Sequence, residues 1–132
     1  MTAPTDPPVV FVVDDEAPLR QMARRILEPE GYQVLDAANG RDAVAQLATT
    51  QKIDLLIADL EMPELAGEEM VRLCRLARPD LKVLYVSGVI DRLLNDRPQL
   101  WEGEAFLEKP YSAAGLREAV ALLLFGKLQK PG

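Results

Sequence analysis

The sequence alternates short runs of apolar, mostly β-branched residues with longer segments whose apolar residues recur every three or four positions. The clearest run is Val9–Val13, which a pair of aspartates closes. A continuous apolar run of this length is typical of a strand that is buried on both faces. The next segment has helical spacing, and Pro18 suits the first turn of a helix. Repeated strand and helix units with short loops predict a parallel sheet that helices cover on both faces.

The pattern predicts five such units. Strands are predicted at 9–13, 33–37, 54–59, 82–87 and 105–107. Four helices are predicted from the inward stripes Leu19, Met22, Ala23, Ile26 and Leu27; Val44, Leu47 and Ala48; Met70, Leu73, Cys74 and Ala77; and Leu116, Ala119, Val120, Leu123 and Leu124. A further short helix is predicted at 91–95, where Pro98 would end it. Ser112 is predicted to cap the last helix.

The composition argues against several classes of function. The 132 residues suit one domain, expected at 9–125, with a flexible N-terminal tail at 1–8 and a C-terminal tail at 126–132. The net charge of −6 argues against direct nucleic-acid binding, and no apolar run approaches the roughly 20 residues of a membrane span. The absence of histidine excludes Ser-His-Asp hydrolysis and phosphorylation on a histidine of this chain. A lone cysteine and no secretory signal favour the cytoplasm.

Polar residues stand at the ends of four predicted strands. Asp14 and Asp15 follow the first strand, Asp59 ends the third, Ser87 ends the fourth and Lys109 follows the fifth. Ligands of an open parallel sheet bind beyond the carboxyl ends of its strands. We therefore expect these five side chains at one edge of the sheet.

This set of groups favours phosphoryl transfer. Three crowded carboxylates resist ionisation unless a cation lies among them, and oxygen ligands without His or Cys suit Mg²⁺. A carboxylate beside Mg²⁺ can attack phosphorus and form an acyl phosphate. Lys109 would neutralise the transferring oxygens, and Ser87 could donate a hydrogen bond to the phosphate.

The chain resembles the receiver domain of two-component response regulators over almost its whole length. The residues that carry the resemblance are Asp14-Asp15-Glu16, Asp59, Met62-Pro63, Gly67, Ser87-Gly88 and Lys109-Pro110. The segment 106–111 is similar to receivers attached to hybrid histidine kinases. The resemblance implies a flavodoxin-like, doubly wound (βα)5 α/β fold with a parallel five-stranded sheet of order 2-1-3-4-5.

The resemblance also implies the chemistry. Asp59 would accept a phosphoryl group from the phosphohistidine of a histidine kinase or histidine phosphotransfer protein. Asp15 and Asp59 would bind Mg²⁺ directly, Asp14 through water, and Glu61 through its backbone carbonyl. Beyond Mg²⁺-dependent self-phosphorylation and slow autodephosphorylation, no enzymatic activity is expected.

A conformational switch is implied as well. The phosphate would draw the Ser87 hydroxyl toward it, and Phe106, three positions before the lysine, would turn inward. The fourth helix, fifth strand and fifth helix would then present a changed surface to an effector protein or to a second copy of the chain. A cis bond between Lys109 and Pro110 is also implied.

Other interpretations remain open at this stage. Asp14 and Asp15 could cap the first helix, and Ser87 could be a turn hydroxyl. The domain could be a pseudo-receiver that binds partners without phosphorylation. An aspartyl-nucleophile phosphatase is disfavoured because the isolated acid follows the third strand rather than the first. A dinucleotide binder is disfavoured because its glycine-rich turn is replaced by acidic residues.

Overall fold

A computed structural model of the chain describes residues 7–50, 52–62, 65–88 and 103–126. The strands are β1 (Val9–Val13), β2 (Gln33–Ala37), β3 (Leu55–Asp59), β4 (Lys82–Ser87) and β5 (Glu104–Glu108). The helices of the described residues are α1 (Ala17–Leu27), α2 (Gly40–Thr49), α3 (Gly67–Ala77) and α4 (Ala113–Phe125), with a 3₁₀ turn at Glu28–Glu30 after α1. Each predicted strand agrees with the observed one to within a residue at either end. The helix predicted at 91–95, and Pro98 with it, lies outside the described residues.

The five strands form one parallel sheet in the order β2-β1-β3-β4-β5, so the implied strand order is confirmed. Side chains of β1 alternate between two cores, as the pleat of a strand requires. Val10 and Val12 pack with residues of α1 and α4 on one face. Phe11 and Val13 pack with residues of α2 and α3 on the other. Helices cover both faces of a doubly wound sheet, which is why every residue of β1 and β3 is buried.

Local signals begin two of the helices. The Asn39 Oδ1 atom accepts a hydrogen bond of 2.7 Å from the Asp42 amide at the start of α2. Ser112 caps α4 as predicted, since its Oγ atom accepts a bond of 2.9 Å from the Gly115 amide. The peptide bond between Lys109 and Pro110 is cis, as the resemblance implies.

Two residues of the predicted inward stripes are exposed instead. Ala48 lies one position, about 100° around the helix, from buried Leu47, and this turns it toward solvent. Ala77 is the last residue of α3, beyond the contact that Cys74 makes with the core. In the described ranges, no helix combines the length and the hydrophobicity needed to cross a bilayer.

Candidate functional site

Three carboxylates meet where β1 and β3 end. One oxygen each from Asp14, Asp15 and Asp59 lies within 4.8 Å of the other two. Asp14 and Asp59 are buried, with 6% and 2% of their surface exposed, whereas Asp15 is exposed. β1 and β3 are neighbours in a parallel sheet, so their carboxyl ends lie side by side. The structure thus brings together the three acids that the sequence predicts at one edge.

The turn after β1 holds Asp14 in place. Its amide donates a hydrogen bond of 3.2 Å to the carbonyl of Ala37, which continues the pairing with β2. Its Oδ1 atom accepts a bond of 2.9 Å from the Glu16 amide. Arg20 of α1 donates a bond of 2.7 Å to the Asp14 carbonyl. The acidic turn is therefore fixed from the sheet and from the first helix.

Lys109 reaches the same cluster from the end of β5. Its Nζ atom lies 3.2 Å from Asp14 Oδ2, 3.3 Å from Asp59 Oδ2 and 3.7 Å from Glu16 Oε2. The Lys109 amide donates a bond of 2.9 Å to the carbonyl of Ser87, which fixes the backbone beside β4. One ammonium thus faces three carboxylates, and the cluster keeps an excess of negative charge.

The cluster shifts the pKa values of Asp59 and Lys109 from those of free side chains. The pKa of Asp59 is raised to about 6, chiefly by burial and also by the neighbouring Asp14 carboxylate, although the Glu61 amide and Lys109 act to lower it. For Lys109, burial opposes the charged form, but Asp14 and Asp59 prevail and raise the pKa of its ammonium. Lys109 therefore stays charged near neutral pH, and the Asp59 carboxyl ionises only at a higher pH than an ordinary aspartate.

The raised pKa of Asp59 makes the free energy of unfolding depend on pH. The pKa of Asp59 lies near 6 in the folded chain and near 3.8 in an unfolded one, so the folded state binds more protons between these values. Its stabilising contribution is present below pH 4 and is lost as pH rises to about 6. Because each pKa unit corresponds to about 1.4 kcal/mol, the loss is at most about 3 kcal/mol. We expect Asp59→Asn to be more stable than the wild type at pH 7 without metal, by urea unfolding.

The same measurement at pH 4 provides the control. At that pH Asp59 is protonated in the folded state and about two-fifths protonated in the unfolded chain, so the advantage of Asp59→Asn should shrink to about 0.5 kcal/mol. An advantage of equal size at both pH values would contradict the electrostatic explanation.

Ser87 reaches the site through a partner that the sequence did not reveal. Its Oγ atom donates a hydrogen bond of 2.9 Å to Glu61 Oε1. The Gly88 amide donates to both oxygens of the same carboxylate, at 3.2 Å each. The resemblance implies a metal-binding role only for the backbone carbonyl of Glu61. The available signal was an acid two residues beyond Asp59, opposite a hydroxyl and a glycine at the end of the neighbouring strand.

Phe106 packs on the neighbouring strand β4. It is half-buried and stacks on Tyr85, with ring centroids 5.2 Å apart and planes inclined by 28°. Tyr85 is its register partner in β4 and stands two residues before Ser87, so Tyr85 and Ser87 share one face of the sheet. The Tyr85 hydroxyl donates a bond of 2.8 Å to buried Glu104, which also accepts from Arg75 of α3 at 2.7 Å. Phe106 thus stacks on a residue of a hydrogen-bonded network that the sequence pattern does not predict.

Comparison with known proteins agrees with this geometry. A family model described as the response regulator receiver domain matches residues 10–121. The chain is 31% identical to the sensor kinase CckA of Brucella abortus over 116 residues, covering 87% of this chain and 12% of that protein. It is 28% identical to the response regulator receiver protein CpdR of the same organism, covering 87% of this chain and 95% of that protein. A crystal structure of the receiver domain from the hybrid histidine kinase CckA superposes with a TM-score of 0.75 at 32% identity, covering 88% and 98% of the two chains.

A doubly wound parallel sheet with acids after its first and third strands and a lysine after its fifth defines a class of signal-receiving domains. The chain belongs to the response regulator receiver domain family. It spans 12% of the length of the CckA sensor kinase and nearly all of CpdR. The phosphatase and dinucleotide-binding interpretations are not favoured by these matches.

Proposed function

We propose that Asp59 is the phosphoacceptor of this receiver domain and takes its phosphoryl group from a phosphohistidine of a separate protein. The observation that carries this proposal is the position of buried Asp59, within 4.8 Å of two other carboxylates and 3.3 Å from the Lys109 ammonium. The Asp59 carboxyl has a raised pKa and a fixed ammonium beside it, and this combination suits the transfer of a charged phosphoryl group.

The transfer is a displacement at phosphorus. An Asp59 carboxylate oxygen forms a bond to phosphorus while the bond between phosphorus and the imidazole nitrogen breaks, and the leaving imidazole keeps the electron pair. Lys109 faces the Asp59 oxygen and stabilises negative charge on the phosphoryl oxygens. The Ser87 hydroxyl and the Gly88 amide are hydrogen-bond donors at the end of the adjoining strand. The donor reacts with its other ring nitrogen protonated, so the products are an aspartyl phosphate and a neutral histidine.

The donor set fits Mg²⁺. Asp14, Asp15 and Asp59 offer only oxygen ligands, and a hard divalent ion prefers these. Asp15 and Asp59 are the proposed direct ligands, with Asp14 acting through water and Glu61 through its backbone carbonyl. When bound, Mg²⁺ would supply positive charge to the carboxylates and to the phosphoryl oxygens.

We expect the purified chain to gain one phosphoryl group from phosphoramidate when Mg²⁺ is present. Intact-protein mass spectrometry measures the gain, and the same mixture with excess EDTA is the control. The reaction should stop with EDTA because three clustered aspartates and one lysine leave net negative charge at the acceptor. The proposal fails if wild-type protein gains no mass, and the role of the metal fails if EDTA makes no difference.

Signal output follows from the same site. Ser87 and Phe106 are the proposed switch residues, and the effector surface is proposed on β5, on α4 and on the segment 91–95 outside the described residues. The proposed partners are a histidine kinase or phosphotransfer protein, and an effector or a second copy of this chain. The domain is proposed to act without enzymatic turnover apart from its own phosphorylation and slow autodephosphorylation, in the cytoplasm.

A further inference from the structure

The Glu61 carboxylate is held by hydrogen-bond donors that suit any anion. The Ser87 hydroxyl donates to one of its oxygens at 2.9 Å, and the Gly88 amide donates to both at 3.2 Å. These donors stand directly beside the acceptor, because Asp59 pairs with Val86 across β3 and β4. The backbone of Glu61 is fixed there too, since its amide donates a bond of 2.9 Å to Asp59 Oδ1.

A carboxylate and a phosphoryl group make the same demand on such donors. Both present negatively charged oxygens that accept bonds from hydroxyl and backbone N–H groups. We propose, on the basis of the function proposed above, that Glu61 occupies the phosphoryl-oxygen subsite of the unphosphorylated domain. Glu61 must leave this subsite when Asp59 is phosphorylated. Glu61 is thus an internal competitor of the phosphoryl group.

The Glu61 side chain can leave without disturbing the core. Glu61 and Gly88 are both exposed, so the released carboxylate enters water without crossing the core. What opposes release is the loss of its charge-assisted bonds to Ser87 and Gly88, and what favours release is repulsion from an incoming phosphoryl dianion. The balance predicts slower phosphorylation and weaker anion binding in the wild type than in a chain without this carboxylate.

The first test is the rate of mass gain from phosphoramidate with saturating Mg²⁺. We expect Glu61→Ala to react about tenfold faster than wild type, the factor associated with one charge-assisted hydrogen bond. Glu61→Gln keeps the size and one acceptor oxygen but not the charge, and it should lie between the two. A Glu61→Ala rate equal to or below the wild-type rate would overturn the proposal.

Glu16→Ala is the matched control. Glu16 is also exposed and lies 3.7 Å from the Lys109 ammonium, but it belongs to the turn after β1 rather than to the Ser87 and Gly88 donors. Removing its charge should change the rate by at most about twofold, as expected for an exposed ion pair. If Glu16→Ala accelerated the reaction as much as Glu61→Ala, the loss of any nearby negative charge would explain the rate, and the proposal would be rejected.

A second readout needs no transfer to Asp59. Inorganic phosphate with Mg²⁺ is titrated into ¹⁵N-labelled protein while the Gly88 amide resonance is followed. Glu61→Ala should bind phosphate about tenfold more tightly than wild type and Glu16→Ala, with Gly88 among the shifted amides. Equal affinities would overturn the proposal even if phosphorylation occurs. A wild type that gains no mass while Glu61→Ala binds phosphate more tightly would reject the phosphoacceptor role and support the competitor role.

Discussion

Asp59→Asn should abolish phosphorylation while leaving the fold in place. The substitution replaces a nucleophilic carboxylate oxygen with an amide of the same shape, and its oxygen can still accept the bond from the Glu61 amide. With the nucleophile gone, the rate of mass gain from phosphoramidate should fall by about a thousandfold or more. Intact mass after prolonged incubation, together with circular dichroism, measures both parts of this expectation.

Asp15→Asn is the informative comparison. Asp15 lies in the same carboxylate cluster but is exposed, and its proposed role is to hold the metal rather than to bond to phosphorus. Its phosphorylation should be weakened at low Mg²⁺ and partly restored at high Mg²⁺, whereas no metal concentration should restore Asp59→Asn. Equal mass gain by Asp59→Asn, or rescue of that variant by Mg²⁺, would contradict the assignment of Asp59.

The features that the sequence predicted well are those with local signals. β1 and β3 are recognisable because apolar runs end abruptly at Asp14 and Asp59, and the order of strand and helix signals restricts the topology. A parallel sheet then brings strand ends together whatever the details of the loops. The meeting of Asp14, Asp15, Asp59 and Lys109 is therefore a consequence of the fold class.

The features that were missed depend on contacts between distant segments. Whether Glu61 turns toward Ser87 depends on where β4 ends relative to β3, and the spacing of these residues carries no such information. The bond from Arg75 to Glu104 joins residues 29 positions apart, and Glu104 on its own resembles a solvated edge residue. Side-chain direction at a strand end is a tertiary property, so a motif identifies the group but not its partner.

Gly67 occupies a place where no larger residue fits. A Cβ atom there would lie 2.3 Å from the Asp59 carbonyl oxygen and 2.8 Å from the Leu60 Cα atom. Both are backbone atoms at the end of β3, so the clash cannot be relieved by rotating a side chain. The close approach of α3 to β3 thus explains why a glycine stands at this position, and it links the start of α3 to the acceptor residue.

Gly67→Ala should therefore destabilise the domain by about 3 kcal/mol, in the upper range for overpacked sites. Alanine favours a helix over glycine by about 1 kcal/mol, so helix propensity alone predicts the opposite sign. The steric term should win because separations of 2.3 and 2.8 Å are far inside ordinary contact. Urea unfolding gives the change in free energy, and the melting temperature should fall by about 10 °C.

Gly88→Ala separates the clash from the mere loss of a glycine. Its added Cβ would lie 3.8 Å from Glu61 Oε1, an ordinary contact, and Gly88 is not among the glycines with positive φ. Its stability should stay within about 0.5 kcal/mol of wild type.

Gly67→Ala should also shift the Asp59 backbone amide in a ¹⁵N spectrum, because relief of the clash requires α3 and the end of β3 to separate. A Gly67→Ala chain as stable as Gly88→Ala would mean that α3 moves away from β3 at little cost, and that the position of Asp59 does not depend on this contact.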